Sequence, residues 1–170
     1  SMSTYKFACN FLCDPIGERG FVAEDEIVWK KREEFPPLRQ MRATVDPNMH
    51  FDARAAGCYA AIMISGYDAY SQLYFMDGRG SRDWDSAALI DQLFKIDEDY
   101  PDIPILIEDN HMAHLDHAIR LEETIRSDKA GRRISLKINW IHAESESKYE
   151  KWLKLQPRFR NRRVFFASEI

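Results

Sequence analysis

The sequence predicts an α/β domain with a mixed central sheet: three antiparallel strands at the start, parallel strands after them, and helices on the flanks. Three observations carry this. Residues 103–107 form an apolar run that stops on Glu108, Asp109 and Asn110, as a strand buried on both faces does when its carboxyl end reaches the sheet edge. Residues 42–48 repeat the design, with Val45 followed by Asp46, Pro47 and Asn48. Between the two lie two further apolar runs and one stretch of helical period, the order of a meander that feeds into α/β crossovers.

Taken in order, residues 3–40 show no clean period. Asp14-Pro15, Gly17 and Gly20 signal turns, and Phe35-Pro36-Pro37-Leu38 is extended. Residues 1–40 therefore read as a lead-in segment that packs on the domain without forming its core, and residues 41–170 as the domain. Strands are expected at 42–48, 58–65 and 72–77, with a hairpin-like turn at 66–70. Ser81 or Asp83 is the expected cap of a helix ending near Tyr100, whose buried stripe is Trp84, Ala88, Leu89, Leu93 and Ile96. The strand ending at Glu108 follows. A second helix starts near Asn110 or His111, buries Leu115, Ala118, Ile119 and Ile125, and stops at Gly131. A strand at 134–141, a short helix at 147–155 and a last strand at 163–167 complete the chain. In this order, which is the RNase H-like arrangement, the first strand is central and the strand after the first helix pairs with it in parallel. Asp46 and Glu108 then share one sheet edge, where open α/β sheets hold their ligands.

At 170 residues there is room for one ordinary domain. Hydrophobic residues at 45% and charged residues at 31% exclude a disordered chain. No apolar run is long enough to cross a bilayer and no signal peptide is visible, so no membrane role is expected. Cys9, Cys13 and Cys58 fit no metal or redox spacing and read as reduced and buried in a cytoplasmic protein. Ser1-Met2 reads as the scar of a removed tag. There is no phosphate-binding Gly-rich loop followed by Lys and Ser or Thr, no Gly-x-Ser-x-Gly elbow and no dinucleotide fingerprint.

Three constellations carry possible chemistry. Asp46 and Glu108 converge only if a cation offsets their repulsion. Mg²⁺ and Mn²⁺ take oxygen ligands of this kind, and two such ions can work together on a phosphodiester. Asp109, Asn48 or Asp77 could supply further donors. The other reading leaves both acids as solvated strand ends. His111, His114 and His117 invite a zinc reading, but three-residue steps drift around a helix and no Cys is near, so a solvated face is the alternative. His111 could also contact a phosphate. Residues 147–163 hold Lys148, Lys151, Lys154, Arg158, Arg160, Arg162 and Arg163 against Glu150 alone, a charge of +6 beside −10 for the rest. Segregation of this kind suits nucleic-acid phosphates, a solvated helix face being the plainer reading.

The motif order resembles the C-terminal nuclease domain of tailed-bacteriophage terminase large subunits over nearly the whole chain. It runs through Tyr5-Lys6-Phe7, Asp14-Pro15, Phe21, Val45-Asp46-Pro47, residues 73–77, residues 105–110, and the basic segment with Pro157 and Val164-Phe165-Phe166. The resemblance implies an RNase H-like, two-metal endonuclease that cuts concatemeric viral DNA during genome packaging, in the cytoplasm of the infected bacterial host. Asp46 matches the first catalytic acid and Glu108 the second, with Mg²⁺ or Mn²⁺ as cofactor and Asp109 as a possible further ligand. Lys148, Lys151, Arg158, Arg160, Arg162 and Arg163 would hold double-stranded DNA. An ATPase domain, a portal and a small terminase subunit are the implied partners of the full-length protein. Two departures stand out. Asp52 matches a further family acid only loosely, and the third acid would follow residues 164–166, so a truncated domain is expected. The alternatives are another RNase H-superfamily nuclease, such as a junction resolvase, or a non-catalytic module that clamps or docks DNA.

Overall fold

A computed structural model of the chain describes residues 22, 24–47, 60–109, 113–142 and 148–168, without the side chains of Glu24, Asp109 and residues 148–152. Among these residues seven strands form one sheet: β1 (Val28–Lys30), β2 (Arg39–Asp46), β3 (Ala60–Tyr67), β4 (Leu73–Ser81), β5 (Ile105–Asp109), β6 (Ile138–His142) and β7 (Val164–Ala167). Among the described residues three α-helices accompany it: α1 (Ser86–Asp99), α2 (Ala113–Ala130) and α3 (Lys148–Arg160). The sheet order is β1-β7-β4-β3-β2-β5-β6. Strands β2, β3 and β4 are antiparallel neighbours, while β2/β5, β5/β6, β4/β7 and β1/β7 are parallel. This is the mixed RNase H-like sheet that the element order predicts.

The two faces of the sheet divide the hydrophobic residues. Ala43 and Val45 of β2, Ile62 and Ile64 of β3, and Ile105 and Ile107 of β5 point to one face, where Leu89, Ile90, Leu93, Phe94 and Ile96 of α1 and Leu115 and Ile119 of α2 cover them. Each such side chain contributes about 1.5–3 kcal/mol on burial, so this layer is the main source of stability. On the other face a smaller cluster joins Leu73 of β4, Val164 and Phe166 of β7, Phe159 of α3, and Val22 and Ile27 ahead of β1.

Several boundaries differ from expectation. Strand β4 runs on through Gly78, Arg79 and Gly80 to Ser81, so Ser81 and Asp83 do not cap α1. The cap is Asp85, whose side chain accepts from the Ala88 N–H at 2.8 Å. Trp84 packs on the core from just outside the helix, and Ile90 and Phe94 join the buried stripe. Gly80 fits closely, since a Cβ there would stand 3.0 Å from the Ala60 carbonyl oxygen and push that backbone aside by a few tenths of an ångström. Ile125 does not face the sheet and is 36% exposed. Six residues beyond Ile119 it has turned about 240° around the helix. Glu123, four residues on from Ile119, takes that place and accepts from the Leu136 N–H at 2.7 Å. Gly131, at φ +62°, ends α2 as expected. Strand β6 starts only at Ile138, because the Ile134 N–H is taken by Ser127 Oγ and that of Leu136 by Glu123. Part of the lead-in segment enters the sheet as β1, an edge strand on β7. Cys9, Cys13, Cys58 and Asp52 lie outside the described residues.

Candidate functional site

Strands β2 and β5 pair in parallel, with Ala43 opposite Ile105, Thr44 opposite Leu106 and Val45 opposite Ile107. One further step along both chains sets Asp46 beside Glu108. Neighbouring strands lie about 4.8 Å apart, so the two backbones approach closely enough for both carboxylates to reach one point. Side chains alternate along a strand. Because Val45 and Ile107 face the α1/α2 layer, Asp46 and Glu108 leave the sheet on the other face, both half-buried. Their outer neighbours are Ala61 of β3 and Ile141 of β6. Asp109 pairs with His142 through the backbone. Asn48, His111 and the side chain of Asp109 lie outside the described residues.

Asp77 is not part of this pair. It sits opposite Ile64, which sits opposite Ala43, so it belongs to the α1/α2 face and lies three residues from the level of Asp46. Its Oδ2 accepts from Arg79 Nη2 at 3.0 Å, and Arg79 also pairs with Asp99 at the end of α1. Burial lowers the Arg79 pKa, but the bonds to Asp99 and Asp77 outweigh it and hold it above the usual value. Asp77 is therefore spent on structure.

The basic segment is not one continuous strip. Arg158 is half-buried, with its guanidinium 5.6 Å from the Tyr67 ring centroid. Arg163 donates to the Tyr70 carbonyl at 2.6 Å and so fastens the β3–β4 turn. Arg160 and Arg162 are exposed on the helix end and the turn after it. The side chains of Lys148 and Lys151 lie outside the described residues. Sequence reasoning missed Arg39 and Arg42 of β2, which with Tyr67, Asp68 and Arg158 line a cavity of about 480 Å³. Arginines three apart in a strand read as facing opposite ways, so no sequence signal marked them.

Asp46 and Glu108 offer hard oxygen donors at one sheet edge, a set that fits a single Mg²⁺ or Mn²⁺ ion. Among the described residues no group of three or more His, Cys, Asp or Glu side chains converges, so a two-ion cage is not assembled there. His114 and His117 are exposed on α2. No described helix is long and apolar enough to cross a membrane.

No protein-family model matches the chain, and no curated protein does. Solved structures match in fold. The large terminase nuclease domain of bacteriophage SPP1, solved with bound Mn, has a TM-score of 0.51 at 14% identity, covering 86% of this chain and 73% of its own. The large terminase of bacteriophage HK97 gives 0.50 at 11% identity, covering 88% of this chain and 34% of its own. The large terminase nuclease of thermophilic phage G20c gives 0.48 at 14% identity, covering 84% and 71%, and has also been solved with bound magnesium.

Proposed function

We propose that this chain is the nuclease domain of a phage-type large terminase, a metal-dependent endonuclease that cuts double-stranded viral DNA during packaging. The observation that supports it best is the register of β2 on β5, which sets Asp46 beside Glu108 at the carboxyl edge of an RNase H-like sheet. In this reading Asp46 and Glu108 hold a divalent ion, Mg²⁺ or Mn²⁺. When bound, the ion supplies Lewis-acid polarisation of the phosphodiester and a charge that stabilises the leaving oxygen. The carboxylates orient the ion, and their half-buried setting keeps them from swinging into solvent. Two-ion chemistry would need further donors, of which Asp109 is the nearest in sequence. Arg158, Arg160, Arg162 and Arg163, with Lys148 and Lys151, hold the DNA backbone. The full-length protein would carry an ATPase domain and meet a portal and a small subunit in the infected bacterial cell.

The test is nicking of supercoiled plasmid with Mn²⁺, read beside calorimetric Mn²⁺ titration. Asp46→Asn and Glu108→Gln should each abolish cutting and weaken Mn²⁺ binding at least tenfold. Both variants should still unfold cooperatively without metal, because the core under the two strands is untouched. Wild-type cutting or unchanged Mn²⁺ affinity in either variant would overturn the assignment. A wild-type chain that binds DNA but never cuts it would favour a clamping module.

A further inference from the structure

We infer that the cavity at the amino end of β2 is a binding site for one backbone phosphate of DNA, held by Arg39, Arg42 and Arg158 around Tyr67. The inference rests on the nuclease reading for the identity of the polyanion.

The argument begins with a bulge. Arg39 pairs with Tyr67 and Arg42 with Ser65, so three steps on β2 answer two on β3. The extra residue falls beside Gln40, which adopts φ +51°, a left-handed backbone that a non-glycine residue takes only at some cost. Without the bulge the two arginines would project from opposite faces. With it, both leave on the face of Ser65 and Tyr67. Phe159 of α3 packs into the cluster on that same face, which brings the adjacent Arg158 to the Tyr67 ring. Arg42 approaches the same ring at 5.8 Å. Tyr67 thus aligns two guanidinium groups by cation–π contact, and Arg39 stands at the rim.

The cluster keeps an excess of positive charge, three guanidiniums against the one carboxylate of Asp68. None of the three arginines is in an ion pair among the described residues. The one acid lining the cavity, Asp68, is committed elsewhere. Its Oδ1 accepts from the Tyr70 and Gln72 N–H groups, each at 2.8 Å, and its Oδ2 from the Tyr74 hydroxyl at 3.4 Å. Three planar guanidiniums that form no ion pair among the described residues suit a tetrahedral oxyanion, which accepts paired N–H bonds.

The position relates the cavity to the cutting site. Arg42, Thr44 and Asp46 alternate onto one face of β2, so the cavity and the carboxylates share a sheet face. Four strand residues span roughly 13 Å, close to the axial length of four base pairs. A duplex lying along β2 would have one phosphate in the arginine cavity while a phosphodiester about four pairs away meets Asp46 and Glu108.

Fluorescence anisotropy with a 20-base-pair duplex in EDTA, across a salt series, tests this. Removing one phosphate contact lowers the slope of log affinity against log salt by roughly one. Arg42→Gln with Arg158→Gln should lose that one unit, and adding Arg39→Gln should lose no more, because the three serve one phosphate. Arg42→Lys should keep the slope and lose affinity several-fold, since charge remains but the fork does not. If the double variant fails to fold by circular dichroism, Arg39→Gln at the exposed rim is read alone and should weaken binding. An unchanged slope, or a loss growing by one unit with each arginine, would overturn the proposal. Plasmid nicking by the wild type separates the two readings. Nicking with an unchanged slope defeats the cavity alone, whereas no nicking with a lowered slope defeats the nuclease alone.

Discussion

Asp77→Asn separates an acid that holds the fold from the acids proposed to hold a metal. Asp77 Oδ2 accepts from Arg79 Nη2 at 3.0 Å and from Nε at 3.3 Å, and its Oδ1 accepts from the Gly78 N–H at 2.8 Å. An asparagine can keep the Gly78 bond but turns its amide N–H₂ toward a guanidinium, donor against donor. Arg79 is 18% exposed at its side chain, and its Nη1 is buried without a partner, so little solvent is at hand to replace the lost bonds. Breaking a fully buried ion pair from one side costs about 3–5 kcal/mol. Asp77 is 27% exposed and Asp99 still pairs with Arg79, so the loss should be smaller, about 2 kcal/mol. For a domain of this size each kcal/mol shifts Tm by about 2–4 °C, giving a fall of about 4–8 °C. The assay is thermal unfolding by circular dichroism in EDTA, paired with Mn²⁺-dependent nicking at 25 °C. Asp77→Asn should melt lower and still cut. An unchanged Tm, or lost cutting with an unchanged Tm, would refute the reasoning and move Asp77 into the metal site.

Two further outcomes follow from buried polar groups. Glu123→Ala strands the Leu136 N–H, which Glu123 Oε1 receives at 2.7 Å, and should cost about 2 kcal/mol of stability, seen as a lower urea midpoint at constant slope; an unchanged midpoint would mean that water replaces the carboxylate. Tyr74 has its pKa raised by burial and then by Asp68, and Tyr100 by burial and then by Asp77. Both folded values exceed the unfolded value of about 10, so their stabilisation is complete below pH 10 and is lost as pH rises through the folded values. Urea titrations from pH 9 to 12 should show stability falling, and falling less steeply in Tyr74→Phe.

The fold was legible wherever apolar runs had sharp ends. Strand β5 is bounded by Pro104 and the acids, and β2 by Pro47 on the carboxyl side. The misjudged boundaries share one cause, a tertiary partner that overrides a local signal. The expected strand stops at Asp77 before two glycines, yet β4 continues because Gly78, Arg79 and Gly80 pair with Met63, Ile62 and Ala61 of β3. Strand β1 has three residues and exists through its parallel pairing with β7. No three-residue window could announce it. The adjacency of Asp46 and Glu108 was legible for the same reasons. Strand ends mark Asp46 and Glu108, but a bulge that needs a non-glycine residue at positive φ hides the pairing of Arg39 with Arg42.

What holds the two carboxylates together is the hydrophobic core. Residues 43 and 45 of β2 are 0% and 1% exposed, and their partners on β5, Ile105 and Ile107, are fully buried. A slip of β2 by one residue would turn Ala43 and Val45 to the open face and drive Thr44 and Asp46 into the α1/α2 layer. That exchange would give up the burial of Val45, about 1.5–3 kcal/mol, and would bury an unpaired carboxylate at a cost of several kcal/mol more. The core therefore excludes any one-residue slip from the register that keeps Asp46 level with Glu108. Substituting Asp46 or Glu108 leaves that register intact, so each variant should keep the fold while metal binding and cutting are lost.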